Sequence, residues 1–357
     1  MDRYINQAGG KKSSLLMKGI LMIVLLVASF GFQPGGAAAA DSKEAVKEKW
    51  EDPATLYKTI KDPKERLFFH ALARPDGEDM VYHIKGKAYA YVPGDIFNKD
   101  LKHGQALFGV EGYNIRKAVQ VEGTNDFKIL TREIVFYTDL KTGEILKDWR
   151  NPVTGKTFPV SHIENDHVNF DYRVVDGSLR NVIKVGDKEI GAFPLDAPER
   201  LGETYVFHAD AFPLYDLKQR YQINDPMNVK NGVYTSAEFF DFQVPTKYLN
   251  RMKGNKTPEG IVPITNSWTR VSPWTPWMGL DETEHPGNLV FHARSQVLDG
   301  FDDLPEWIKE EVKDHYPIYQ SSLEEVDPTP NATSWTAFYQ NVLKTAGKTW
   351  EQWVASF

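Results

Sequence analysis

The chain of 357 residues contains no cysteine. This excludes disulfide staples, a cysteine nucleophile and a lipid-modified cysteine anchor, so burial alone must hold the fold. Three glycine motifs are also missing. There is no GxSxG elbow, no GxxxxGK phosphate loop and no GxGxxG turn, which argues against a serine hydrolase of the α/β kind, a kinase and a nucleotide-dependent dehydrogenase. Neither HExxH nor HxxEH occurs, so no recognised metal spacing is present and no cofactor is expected. Basic residues are not in excess either. The net charge is −7, which leaves no electrostatic case for binding nucleic acid or anionic lipid.

Only one long apolar run exists, and it is at the start. Arg3, Lys11, Lys12 and Lys18 precede an apolar stretch over 19–32, then Gln33-Pro34-Gly35-Gly36 and Ala38-Ala39-Ala40. That order is an export signal with a small-residue cleavage site. The run is shorter than the roughly 20 residues that span a bilayer, and no Arg-Arg pair marks a twin-arginine route. Cleavage after Ala40 takes away four basic residues and one acid, so the remaining 317 residues carry −10. The expected location is secreted or periplasmic, with membrane contact only through the signal segment if it stays uncleaved.

The remainder reads as a single β-rich domain over 41–357. Its first section, 41–75, is helical, because Asp52-Pro53 and Asp62-Pro63 each place an acidic cap before a proline at the first helical position. Over 80–295 the periodicity changes to two, in about a dozen short segments joined by Gly, Pro, Asn and Asp. Lys141-Thr142-Gly143 and Val153-Thr154-Gly155 put glycines where a hairpin needs positive φ. Helical patterns return over 303–357. With no crossover helices, apart from a turn near 245–252, consecutive strands must pair antiparallel. The expected architecture is mainly β (α+β): a large curled antiparallel sheet or a calycin-like β-barrel, with N- and C-terminal helices packed on it. Two stacked sheets are the alternative.

Several uncommon residue strings occur in a fixed order. They are Tyr137-Thr138-Asp139, Asp148-Trp149-Arg150-Asn151-Pro152, Ser272-Pro273-Trp274 with Pro276-Trp277-Met278-Gly279, Phe291-His292-Ala293-Arg294, and Asn331-Ala332-Thr333-Ser334-Trp335. Together they resemble the domain of unknown function 1838 family, over roughly 76–343. Many members of that family look exported. The resemblance implies no established activity, cofactor or catalytic residue.

Three groups of residues could carry chemistry. His162, Glu164 and Asp166 share one side of a strand, and an imidazole beside carboxylates suits proton transfer. Completing a metal site there would need His83, His208 or His292. The same alternation is what a solvent-facing strand shows. His292 with Arg294, and Trp268 with Arg270, each pair an aromatic or imidazole ring with a guanidinium on one strand face, which could anchor an acidic ligand. The plain reading of these arginines is a structural ion pair. Trp274 and Trp277, on a loop stiffened by Pro273 and Pro276, could stack a ligand ring or plug one end of the sheet.

The expected function is an exported protein that encloses a small, partly apolar, possibly acidic molecule in a β-barrel cavity. On that expectation Trp268, Trp274 and Trp277 stack while Arg270, His292 and Arg294 hold the acidic group. The rival is a lyase, isomerase or hydrolase in the same cavity, with His162, Glu164 or Asp166 as general acid or base. A third reading is extracellular polysaccharide binding on an exposed tryptophan platform.

Overall fold

The two-residue period that dominates the sequence is realised as long antiparallel strands. A computed structural model describes residues 50–94, 101–185, 188–254 and 260–357. The expected export signal, 1–40, lies outside these residues, as does 41–49 of the N-terminal helical section. In chain order the strands are β1 (Trp50–Glu51), β2 (Met80–Tyr91), β3 (Ala106–Val121), β4 (Asp126–Thr138), β5 (Asp148–Arg150), β6 (Thr157–Pro159), β7 (Ile163–Asp166), β8 (Phe170–Val175) and β9 (Ser178–Val185). They continue as β10 (Lys188–Pro194), β11 (Glu199–Leu201), β12 (Thr204–Ala211), β13 (Leu214–Asp216), β14 (Val233–Thr235), β15 (Ala237–Pro245), β16 (Thr265–Ser272) and β17 (Asn288–Leu298). Thirteen of them form one sheet, ordered β10-β9-β8-β4-β3-β2-β17-β16-β15-β12-β11, with β1 beside β3 and β7 beside β4.

This sheet is strongly curled. Tyr137 on β4 and Phe291 on β17 bring their ring centroids to 6.4 Å, although three ladder steps of about 4.8 Å separate their strands. Glycine makes the bend possible. A Cβ at Gly86 would collide with His292 O and Ala293 Cα, and one at Gly112 with Ile134 O and Val135 Cα. Both glycines lie on the inner, concave face, where curling drives neighbouring backbones together.

The curl stops short of a barrel. Within the described residues β10 and β11 end the sheet and do not pair with each other, so the expected barrel closure is not observed. Helices instead close the ends of the trough. Helix α1 (Pro53–Tyr57) and helix α2 (Pro63–Leu72) start at Asp52 and Asp62, whose carboxylates accept from Ala54 N and Lys64 N at 2.8 Å. From α2, Phe69 packs on Phe127 of β4 at 4.7 Å and Phe68 on Phe207 of β12 at 5.3 Å. One short helix thus touches both flanks of the sheet and plugs one end of the trough with aromatic rings.

The other end is plugged from the C-terminus. Helix α5 (Ser334–Phe338) begins with a capping box between Thr333 and Thr336, and α6 (Trp350–Ala355) repeats the device with Thr349 and Gln352. Trp335, Phe338, Trp350 and Trp353 from these helices join Trp274, Trp277, Phe108 and Phe291 in one apolar cluster. On the outer face α4 (Glu306–His315) buries Ile308 and Val312 against Val81, Tyr113, Ile134 and Phe136. Several elements escaped the sequence reading: strands β1, β10, β11 and β13, and α3 (Leu217–Tyr221), which starts at Asp216 between β13 and β14.

Candidate functional site

Between the two apolar plugs, the inner face carries a belt of polar residues. The ladder register sets it out: Asn165 (β7) lies opposite Glu133 (β4), and Glu133 opposite Asn114 (β3), with Arg116 two residues further along β3. On the facing flank Glu238 (β15) lies opposite Arg270 (β16), and Phe240 opposite Trp268. Glu133 is half-buried on the inner face of the curled sheet, whose polar stretch between the two plugs forms the recess. Three strands (β3, β2 and β17) lie between Glu133 and Arg270 along the sheet, but the curl brings their charges within reach of one another.

The hydrogen bonding in this recess is unusually incomplete. Arg116 is 9% exposed and Arg270 7%. Arg116 Nε donates to Asn114 Oδ1 at 2.8 Å, and its guanidinium lies over the Tyr82 ring at 4.9 Å; among the described residues it has no carboxylate partner. Arg270 Nε is 3.7 Å from Glu238 Oε1 and has no hydrogen-bond partner. Buried Arg66 provides the contrast. It lies outside the belt and donates to the carbonyls of Lys58, Ile60, Met252 and Gly254. This fold can therefore saturate a buried guanidinium, and in the recess it leaves two unsaturated.

More unpaired groups surround Arg270. Among the described residues Tyr137 Oη, Tyr234 Oη, Thr275 Oγ1 and Trp277 Nε1 are buried without a partner of hydrogen-bond geometry. Tyr137 lies near Thr275 and Trp277, and Tyr234 near Thr333, without meeting that geometry. All four can donate to an acceptor-only anion. Across the recess, Asn165 Nδ2 donates to Glu133 Oε2 at 2.8 Å, and Glu133 Oε1 has no protein partner among the described residues. Burial holds the Glu133 carboxyl above its ordinary range and Glu238 adds to the shift, while Asn165, Arg270 and Arg116 oppose it. Burial works against the charge on Arg270, but Glu238, Tyr215, Tyr234 and Glu133 outweigh it, and its pKa is raised. Burial alone lowers that of Arg116 in spite of Tyr82 and Glu133.

The residues singled out in the sequence fall in several places. Trp268 and Arg270 line the recess, and Trp268 Nε1 donates to Glu238 Oε2 at 3.3 Å. His292 and Arg294 do not join them. Phe291 lies opposite Arg270 and Ala293 opposite Trp268, so the intervening His292 and Arg294 point outward and are exposed. Trp274 and Trp277 are fully buried in the end plug; they form no exposed platform, and only the Trp277 indole N–H faces the belt.

Glu164 and Asp166 share the outer side of β7, and His162 immediately precedes that strand. His162 is buried, its Nδ1 accepts from Tyr137 N at 3.2 Å, and burial pushes its pKa down to about 4. Asp166 pairs with Arg132 at 2.9 Å. Glu164 accepts from Asn341 Nδ2 at 3.1 Å and burial pushes its pKa up to about 6. It opens on a cleft of about 760 Å³ with Tyr221, Tyr316 and Tyr319. The histidines that were to complete a metal site lie apart on the outer face: His83 bonds Glu111 at 3.1 Å, His208 bonds Asp241 at 2.7 Å, and His292 meets Thr269. Among the described residues no three His, Asp or Glu side chains converge as metal ligands.

Sequence reasoning passed over Arg116, Glu133 and Glu238. The signal was present. In β4, Phe127, Ile129, Thr131, Glu133, Val135 and Tyr137 share one face, so a carboxylate occupies the phase of the buried residues.

Comparison with known proteins adds the family alone. No curated protein and no solved structure matches the chain. A family model described as "Protein of unknown function (DUF1838)" matches residues 77–342, which is most of the chain, and the chain belongs to that family.

Proposed function

We propose that this is an exported binding protein that takes a small, partly apolar, acidic molecule into the recess on the inner face of its sheet. The observation that carries this reading is the pair of buried guanidiniums, Arg116 and Arg270, whose hydrogen-bonding capacity the protein leaves unused. A buried charge without partners is costly, by several kcal/mol in an apolar setting. A ligand carboxylate, sulfonate or phosphate would relieve it in planar, bidentate geometry. Trp268, Phe240 and Phe291 supply an apolar wall for the rest of the molecule, with Phe240 and Trp268 stacked at 6.5 Å and Trp268 and Phe291 at 5.7 Å.

The test uses 1-anilinonaphthalene-8-sulfonate, a fluorescent aromatic anion, titrated into the folded protein. Saturable binding is expected, weakened at least tenfold by Arg116→Met and by Arg270→Met. Equal affinity in wild type and both variants would overturn the reading.

A further inference from the structure

Resting on that binding reading, we propose that the recess also performs chemistry: Glu133 is a catalytic base that moves a proton on a carbon next to a carbonyl of the bound acid. Three features of the geometry lead there. Among the described residues the Glu133 carboxyl has a single hydrogen bond, from Asn165 Nδ2 to Oε2 at 2.8 Å, which leaves Oε1 without a protein partner. Neither arginine forms an ion pair with it; among the described residues the only carboxylate paired with Arg270 is Glu238, and Arg116 has none. Unpaired hydrogen-bond donors that could meet developing negative charge lie in the same belt: Tyr137 Oη, four residues along β4 from Glu133, with Thr275 Oγ1 and Trp277 Nε1 beside it. A base together with a set of unused donors is what enolisation requires.

The step balances without a cofactor. Glu133 Oε1 takes the proton, the C–H electron pair becomes a C=C bond, and the carbonyl π pair moves to its oxygen as an enolate. The recess donors stabilise that oxygen. The proton returns from the Glu133 carboxyl to the same carbon, or to a conjugated one to give an isomer. The substrate class is a small 2-keto, 3-keto or unsaturated carboxylic acid with an apolar tail, its carboxylate on Arg116 or Arg270. Burial, which holds this carboxyl above its ordinary range, favours its taking up a proton and returning it.

Phenylpyruvate is the probe, since it has a carboxylate, an apolar ring and acidic C–H bonds beside a carbonyl. Proton NMR in D2O follows loss of its methylene signal, and saturation-transfer NMR follows binding. Wild type is expected to accelerate exchange at least tenfold over buffer. Glu133→Gln, which keeps an oxygen for Asn165, is expected to bind phenylpyruvate and leave exchange at the buffer rate. Binding by wild type with exchange at the buffer rate, or full acceleration by Glu133→Gln, overturns the proposal and spares the binding reading. If wild type does not bind phenylpyruvate at all, the proposal falls, and the sulfonate titration then decides the binding reading separately.

Discussion

Glu238 lies opposite Arg270 in the β15–β16 ladder with Oε1 3.7 Å from Arg270 Nε, close enough for charge attraction and too far for a hydrogen bond. Trp268 Nε1 restrains the other oxygen at 3.3 Å. The pair is therefore held slightly open, and the two arginines of the recess should respond oppositely to removal. Arg270→Met leaves the half-buried Glu238 carboxylate without its counter-charge and with only the Trp268 indole as partner, and is expected to lower stability by about 2 kcal/mol. Arg116→Met removes a buried charge that has no carboxylate partner among the described residues, and is expected to raise stability by about 1 kcal/mol. Urea denaturation of the ligand-free proteins at neutral pH checks both signs. Destabilisation by both changes would mean that Arg116 has a structural role like that of Arg66.

The curl that forms the recess depends on Gly86. A methyl group there meets backbone atoms of His292 and Ala293, which cannot move aside as a flexible side chain would. Gly86→Ala is expected to cost about 2 kcal/mol or more by overpacking and to weaken sulfonate binding through flattening of the trough. Gly94→Ala is the control, because nothing among the described residues lies within 4 Å of a Cβ at that position. Equal urea midpoints for the two variants would show that the bend does not need glycine.

Much of the fold was legible because it follows from local rules. The Asp-Pro pairs cap α1 and α2, and the two Thr-Gly turns close with Gly143 at φ 75° and Gly155 at φ 72°. In the first turn Asp139 Oδ1 accepts from Lys141 N and Thr142 N; in the second Asn151 Oδ1 accepts from Val153 N and Thr154 N. What could not be read was non-local. A period of two shows that His292 and Arg294 share a face, but only the pairing of β17 with β16 and β2 decides that the face is the outer one. Closure was equally hidden, since it depends on whether the distant edges β10 and β11 meet, which no local pattern records. Glu133 was overlooked because a single carboxylate in an apolar phase looks like noise until Asn165, Arg116 and Arg270 are seen around it.

Asn228 joins three segments of the end plug. Its Nδ2 donates to Trp274 O at 2.5 Å and Leu280 O at 3.2 Å, and its Oδ1 accepts from Trp335 Nε1 at 2.9 Å. The side chain is fully buried, so Asn228→Ala leaves an indole N–H and two carbonyls without partners or water. The expected cost is about 3 kcal/mol, with a red shift of tryptophan fluorescence as the plug loosens. A loss well under 1 kcal/mol would mean that water replaces the amide there.

Acid should weaken the protein through His162. Its Nδ1 must stay unprotonated to accept from Tyr137 N, and burial lowers its pKa from 6.5 to about 4. Between those values the unfolded chain takes up the proton more readily than the folded one. The contribution is thus complete above about pH 6.5 and lost as pH falls toward 4, with a magnitude on the order of 3 kcal/mol. Glu164, two residues along, acts in the opposite direction. Its pKa is raised from 4.5 to about 6, so its contribution is complete below about pH 4.5 and lost as pH rises through 6. Asn at position 162 would offer an acceptor to Tyr137 N without being able to charge, and His70, also lowered to about 4 by burial, would keep part of the acid response. Urea titrations at pH 7.5 and pH 4 should therefore show a smaller stability difference in His162→Asn than in wild type, while Glu164→Gln should enlarge it. An unchanged difference in His162→Asn would mean that the imidazole is not held neutral in the folded protein.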